Sequence, residues 1–257
     1  MDRATPIGIG LGMGAIIVAN MMEGGSPMSL LLLPPMLLVF GGTIGAALAG
    51  GTMADGKHAV HSLKRAMVWK QQSPAELVPV CVSLADKARR EGLLMLEEAV
   101  KDVDDDFLKR GVALAVDGTD PEELREILEA ELHAKRLADK HSAKFFNAMG
   151  GYAPTIGIIG TVMGLVHVLE NLSEPDKLGH LIAGAFIATL WGVLSANIMW
   201  LPIGSRLTRI GELEASRMEL VIEGVMAIQA GSNPRVVAQR LRSLLPEADR
   251  DLEAKAA

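Results

Sequence analysis

The sequence predicts an all-α membrane protein: four transmembrane helices, a helical cytoplasmic domain between the second and third, and a helical cytoplasmic tail. Charge is distributed in blocks. Although 22% of the 257 residues are charged, residues 4–22, 24–54 and 181–205 hold no Lys, Arg, Asp, Glu or His. A bilayer-spanning helix needs about 20 apolar residues, far more than a core helix. The basic residues are segregated as well, and no β-rich segment or internal repeat appears.

This composition excludes an ordinary cytosolic enzyme, a disulfide-built secreted domain and a disordered tail. The net charge of -6 argues against nucleic acid as a partner, since phosphate binding needs a basic face. The single cysteine, Cys81, permits neither an internal disulfide nor a thiolate metal cage and reads as a small buried hydrophobe. Met1-Asp2-Arg3 lacks a clustered basic region, so the first apolar run reads as a retained span rather than a signal peptide.

The first span is expected at 4–22, rich in Gly and Ala, followed by the turn Glu23-Gly24-Gly25-Ser26-Pro27. Pro34 and Pro35 interrupt the next apolar run. Proline suits the first turn of a helix and disrupts its interior, so the second span is expected at 34–51, after an interfacial stretch Ser29 to Leu33. Residues 52–147 are polar and helical in pattern. The third span is expected at 149–170, a short turn at 171–177, the fourth span at 179–203 and a polar tail at 204–257.

Lys and Arg set the orientation. Residues 52–147 carry 15 of the 25 basic residues and residues 204–257 carry 8, whereas the turns between paired spans carry only Lys177. Both termini, the middle region and the tail are therefore expected in the cytoplasm, with the two short turns facing outward.

In the middle region, Ser73-Pro74-Ala75-Glu76 reads as an N-cap, a first-position proline and an acid. Leu77, Val80, Leu84, Ala88 and Leu93-Leu94 then recur at helical spacing. Asp120 caps a second helix with Pro121 first and Glu122 and Glu123 at the positive end of its dipole; it runs through Lys144 towards the third span.

Several motifs take simple readings. Gly10, Gly12 and Gly14 lie in an uncharged span without the βαβ context of a dinucleotide fingerprint, so close helix packing is expected. Gly157, Gly160, Thr161 and Gly164 form small-xxx-small pairs, 157/161 and 160/164, that let helices approach closely in lipid. His58 and His61 lack a nearby third ligand and read as a surface pair. Asp104-Asp105-Asp106 lacks the remainder of a calcium loop and reads as a solvated acidic run. No constellation for covalent chemistry, no metal site and no cofactor site is found, so the chain is not read as an enzyme.

Pro154, early in the third span, removes the hydrogen bond to the Gly150 carbonyl, and Pro202 does the same for Ile198 near the inner end of the fourth. Each either bends its helix or exposes a carbonyl. Thr161 lies ten residues before Asn171 and Thr189 ten after Gly179. On antiparallel helices both hydroxyls fall about 15 Å below the outer turn, near the bilayer midplane. Each can bond its own backbone, or the two can form a polar ring or ion path. Ion movement through a bilayer usually involves an ionisable side chain, yet the deep parts of the four spans contain none; Glu170, His167 and His180 lie near the outer end. A titrating carboxylate must come from another chain.

At this point the residues resemble the MotA/PomA family of bacterial flagellar stator subunits, within the MotA/TolQ/ExbB superfamily. The resemblance covers nearly the whole chain. It rests on Gly41-Gly42-Thr43, the stretch Ala88 to Glu98 (ARREGLLMLEE), Ala153 to Thr161 (APTIGIIGT), Ala188-Thr189-Leu190-Trp191-Gly192 running on to Pro202, Glu223 to Gln229 (EGVMAIQ) and Asn233-Pro234-Arg235-Val236. It implies a homopentamer around a dimer of a MotB/PomB-like subunit, whose single span bears the missing aspartate and whose outer domain grips peptidoglycan. Ion occupancy of that aspartate would then shift packing and step the pentamer round its partner, driven by a field worth about 2.3 kcal/mol per charge per 100 mV. Pro154 and Pro202 match the family's functional prolines, and Thr161 and Thr189 match ion-path residues.

The resemblance also implies that Arg89, Arg90, Glu97 and Glu98 engage the rotor, through a FliG-like switch protein. On one helix Arg90 and Glu97 would share a face about 10 Å apart. The alternative is a solvated face with Lys87–Glu91 and Glu97–Lys101 pairs. Sodium-type relatives tend to carry a second hydroxyl where this chain has Ala188, whereas Thr161 resembles the sodium-type pattern; protons are favoured, with sodium the alternative. A TolQ/ExbB-like energiser fits less well, having three spans and its insertion after the first. A self-contained transporter would need ion flux through uncharged spans.

Overall fold

The computed structural model describes residues 2–70 and 73–246. Residues 247–257 of the expected tail and the initiating Met1 lie outside the described residues. Ten α-helices appear among the described residues: α1 Ala4–Met22, α2 Leu33–Ala49, α3 Met53–Met67, α4 Leu77–Glu91, α5 Leu96–Ala99, α6 Asp106–Val116, α7 Pro121–Glu170, α8 Pro175–Leu194, α9 Leu201–Gln229 and α10 Pro234–Leu244. A π turn, Ser195–Trp200, joins α8 to α9. The β structure described is a single isolated bridge, Asp2–Trp69. The expectation of an almost entirely helical chain holds.

Two compact units divide the chain: 1–70 with 139–210, and 71–138 with 211–257. The first contains the apolar helices. Among the described residues three helices are long and apolar enough to cross a membrane: α1, α7 in its later part, and α8 running on into α9. The 17-residue α2 is shorter, spanning about 25 Å at 1.5 Å per residue. It begins at Leu33, with Pro34 and Pro35 in its opening turn, and follows a short 3-10 helix, Pro27–Leu30. Trp191 Nε1 donates to the Leu30 carbonyl at 2.7 Å, fastening that segment to α8. Phe40 of α2 packs against both Trp191 and Trp200, with ring centroids 5.7 and 6.2 Å apart. Gly12 abuts Ile198, but a Cβ at Gly10 or Gly14 would meet nothing within 4 Å, so only the middle glycine of that trio serves packing within this chain.

The α3 helix, expected with the polar region, groups with the apolar helices. Thr52 and Asp55 form a reciprocal capping box at its start. Its small buried face of Ala59, Ser62 and Ala66 lies against α7, where Ser62 bonds Ser142 at 3.0 Å and Arg65 pairs with Asp139 at 2.5 Å. The amino-terminal end is held too. Asp2 bonds Arg206 at 2.5 Å, and that guanidinium lies 5.5 Å from the centre of the Trp69 ring.

The second unit assembles most of the middle region and the described part of the tail after 210 around one apolar core, in which Leu84, Leu108, Leu128, Val225, Ile228 and Leu241 are buried. Ser73 Oγ accepts from Ala75 N, but the turn it caps is 3-10, and α4 starts directly after that turn, at Leu77. Asp120 accepts from Glu122 N as expected. Ion pairs tie α7 to α9: Arg125 to Glu223 at 3.0 Å, Lys135 to Glu214 at 2.8 Å, and Arg136 to Glu219. Arg240 of α10 also reaches Glu223.

Two expectations are corrected here. Asp104-Asp105-Asp106 is not simply a solvated run: Asp105 caps α6 through Leu108 N and accepts from Arg217 Nε at 2.9 Å, its side chain only 10% exposed. The Arg217 guanidinium offsets the cost of desolvating this carboxylate. Arg90 and Glu97 do not share a helix either. Gly92 adopts φ +90°, ψ 163°, ending α4, and Leu93–Met95 forms a 3-10 turn before α5.

Cys81 is fully buried against Gly224, and burial, with the Asp105 charge adding to it, pushes its thiol up to about 12. The thiolate is the reactive form, so the folded protein at neutral pH should resist maleimide labelling and react once denatured; rapid labelling without denaturant, read by mass spectrometry, would contradict this packing. Because the Gly92 conformation is essentially glycine-only, Gly92→Ala should destabilise this unit by about 1–3 kcal/mol, seen as a lowered thermal midpoint.

Candidate functional site

The site is built where α7 and α8 come closest, within the first unit. Glycine and alanine make the approach possible. A Cβ at Gly157 would lie 2.9 Å from the Ala188 carbonyl and 3.1 Å from Gly192 Cα; one at Gly192 would lie 2.7 Å from the Ala153 carbonyl. Further along, Gly160 faces Ala188 and Gly164 faces Ala185, where an added Cβ would come within 2.6 and 2.5 Å of the alanine methyls. The three glycines singled out by spacing therefore lie on one seam with α8.

Thr161 and Thr189 meet in this seam and are hydrogen-bonded to each other through their hydroxyls. Thr161 Oγ1 is also 3.2 Å from the Gly157 carbonyl and 3.1 Å from the Ala185 carbonyl, and Thr189 Oγ1 is 3.4 Å from Gly157 O. Both alternatives left open by the sequence thus occur together: a hydroxyl bonds its own helix and also reaches across. The result is a group of four neutral oxygens, two hydroxyl and two carbonyl. Such a group can hand on a proton or help ligate a small cation, but it cannot neutralise a charge. Among the described residues no group of three or more His, Cys, Asp or Glu side chains could hold a metal ion.

Pro154 lies inside α7 without breaking it, one turn before Gly157. Its missing N–H leaves the Gly150 carbonyl without an α-helical donor. Pro202 stands at the second position of α9, just after the π turn, where Leu201 N–H reaches back five residues to Ala196 O. The widened turn makes room for the pyrrolidine ring, which in an unbroken α-helix would clash with the carbonyl four residues earlier. Sequence reasoning found the proline and missed the π turn, which no propensity signal marks. It also quoted Thr43 without a role: Thr43 is fully buried on α2, and its hydroxyl has no partner.

In the second unit Arg89, Arg90, Glu97 and Glu98 are all exposed. The neighbouring ion pairs are Asp86–Arg90 and Glu98–Lys101, at 3.0 and 3.3 Å, not the two expected from four-residue spacing. Exposed pairs of this kind contribute little to stability, so these charges remain available to a partner. His58 and His61 are exposed, and His167 lies 3.1 Å from Glu170.

The model of the motility protein A N-terminal region matches residues 6–92, and that of the MotA/TolQ/ExbB proton channel family matches residues 99–220. The chain belongs to the motility protein A family. It is 38% identical to motility protein A of Bacillus subtilis over 97% of this chain and 93% of that one. It is 34% identical to the chemotaxis protein PomA of Vibrio alginolyticus over 98% and 99% of the two chains. The flagellar MotAB stator complex from Bacillus subtilis superposes with a TM-score of 0.89 at 36% identity, covering 97% of this chain and 99% of that one. This membership agrees with the resemblance carried by the sequence motifs, and it places the chain with membrane-embedded channel subunits rather than enzymes.

The seam supplies a test with its own control. Gly192→Ala would press a methyl on backbone atoms that cannot rotate away, whereas a Cβ at Gly184, on the same helix, meets nothing within 4 Å. Overpacking costs about 1–3 kcal/mol, so Gly192→Ala should lower thermal stability in detergent while Gly184→Ala should not.

Proposed function

We propose that this chain is the A subunit of a flagellar stator, which with a MotB/PomB-like partner forms an ion channel and converts ion flow into torque. Five copies surround a dimer of the partner, whose membrane aspartate binds and releases the ion. The contact between Thr161 and Thr189 carries this reading. It sets polar oxygens in a deep seam where this chain has no acid, so it suits a relay that serves a carboxylate from elsewhere.

In this reading α1, α2, the part of α7 from about 149 to 170 and the segment 179–203 are four spans. Both termini, residues 52–147 and the tail lie in the cytoplasm of an inner-membrane protein, a placement supported by the 23 basic residues of those two polar regions. Ion arrival at the partner's aspartate changes the charge facing the seam. Thr161 and Thr189 then exchange partners among the Gly157 and Ala185 carbonyls, and Pro154 and Pro202 mark where α7 and the α8–α9 rod yield. The movement reaches the rotor through Arg89, Arg90, Glu97 and Glu98, which meet complementary charges on a FliG-like switch protein. The proton is the coupling ion, because a hydroxyl relay satisfies it whereas dehydrated sodium needs more oxygen ligands.

Thr189→Val keeps the side-chain shape and removes the hydroxyl. In a motile host dependent on this chain and its partner, Thr189→Val and Pro154→Ala should paralyse swimming while filaments assemble normally. Glu97→Lys should weaken torque without reducing membrane ion flux through the complex. Wild-type speed should be the same in sodium-free and sodium-rich medium. Unimpaired swimming of both seam variants would sink the ion-path assignment, and a sodium requirement would reverse the choice of ion.

A further inference from the structure

A second feature of the first unit is unrelated to the seam. Where α2 gives way to α3, Ile44 and Leu48 of α2, Val60 of α3, Phe145 and Phe146 of α7, and Trp200 line a groove of about 410 Å³, with Lys57 at its edge. Apart from that lysine the lining is apolar. Val60 is 73% exposed and the adjoining Met53 74%, so the groove continues into an uncovered apolar strip along α3, the kind of surface that marks a ligand or membrane contact.

The charge beside the groove indicates what fills it. The face of α3 that carries Met53 and Val60 also carries Lys57 and Lys64, seven residues apart, and neither has an acidic partner among the described residues. Nearby carboxylates are engaged elsewhere. Asp55 accepts from the backbone N–H and hydroxyl of Thr52, each at 2.8 Å, which holds its carboxyl below the usual range, and Asp139 is taken by Arg65. The occupant must therefore be apolar over most of its length and end in negative charge.

We propose that the groove binds an anionic phospholipid: one acyl chain along Ile44, Leu48 and Phe146, and the phosphate at Lys57 with Lys64 adding to the positive field. This rests on the reading above that α3 lies at the cytoplasmic leaflet. The lipid would seal the corner between α2 and α3, which otherwise leaves apolar surface in the headgroup layer.

The test uses the full chain with its MotB-like partner, purified in detergent and examined by native mass spectrometry with added phosphatidylglycerol or phosphatidylcholine. Phosphatidylglycerol should be retained preferentially. Lys57→Gln and Lys64→Gln should each reduce the preference about fivefold, the factor a basic residue contributes near an anionic surface. Ile44→Trp, which fills the groove, should lose both lipids while the same spectrum shows an intact complex. Equal retention of the two lipids, or unchanged retention in Ile44→Trp, would overturn the proposal. So would a disulfide between Val60→Cys residues of two copies, which would make a second copy the occupant. Topology is read separately, by labelling Lys57→Cys from either side of the membrane. Labelling only from outside would overturn the cytoplasmic placement and leave the detergent result standing.

Discussion

The backbone contact between Gly157 and Gly192 is the constraint on which the rest of the seam depends. With Gly192 Cα 3.1 Å from where a Cβ of Gly157 would be, α7 and α8 touch through main chain rather than side chains. Only at that separation can the short hydroxyls of Thr161 and Thr189 reach each other and the carbonyls on both helices. In lipid, where apolar surface gives helices little reason to prefer one another over the solvent, close packing and interhelical hydrogen bonds are the available attractions. Here one geometry provides both.

Much of this was legible in the sequence, because the relevant signals are local and periodic. Uncharged runs of span length, the small-residue spacing at Gly157, Gly160 and Gly164, and the depth arithmetic for Thr161 and Thr189 each follow from fixed helix geometry. Caps were equally readable at Asp120, where a short side chain and the following proline leave few choices. The family motifs were spread along the chain in one order, and the similarity to relatives likewise runs over nearly the whole chain.

What the sequence hid depends on tertiary partners or on a single dihedral. Gly92 looked like an ordinary residue in a helical run until its φ of +90° separated α4 from α5 and set Arg90 and Glu97 on different elements. Asp105 looked solvated because its partner, Arg217, is 112 positions away. The tail seemed an appendage, yet Leu241 and Val237 are fully buried in the same core as Leu108. Glu223 and Gly224, legible only as part of a motif, have concrete work there: one gathers Arg125 and Arg240, the other leaves space for Cys81.

The π turn at Ser195–Trp200 has a geometric meaning beyond accommodating Pro202. It carries one residue more than an α turn, and each residue of an α-helix advances the side chains by about 100°. The extra residue therefore acts as a phase shifter along the continuous rod from Pro175 to Gln229. It lets Thr189 point into the seam while Ile203, Leu207 and Ile210 stay buried farther down. A uniform helix would bring Leu207 round to the same face as Thr189; the inserted position turns that buried face about 100° away from the seam.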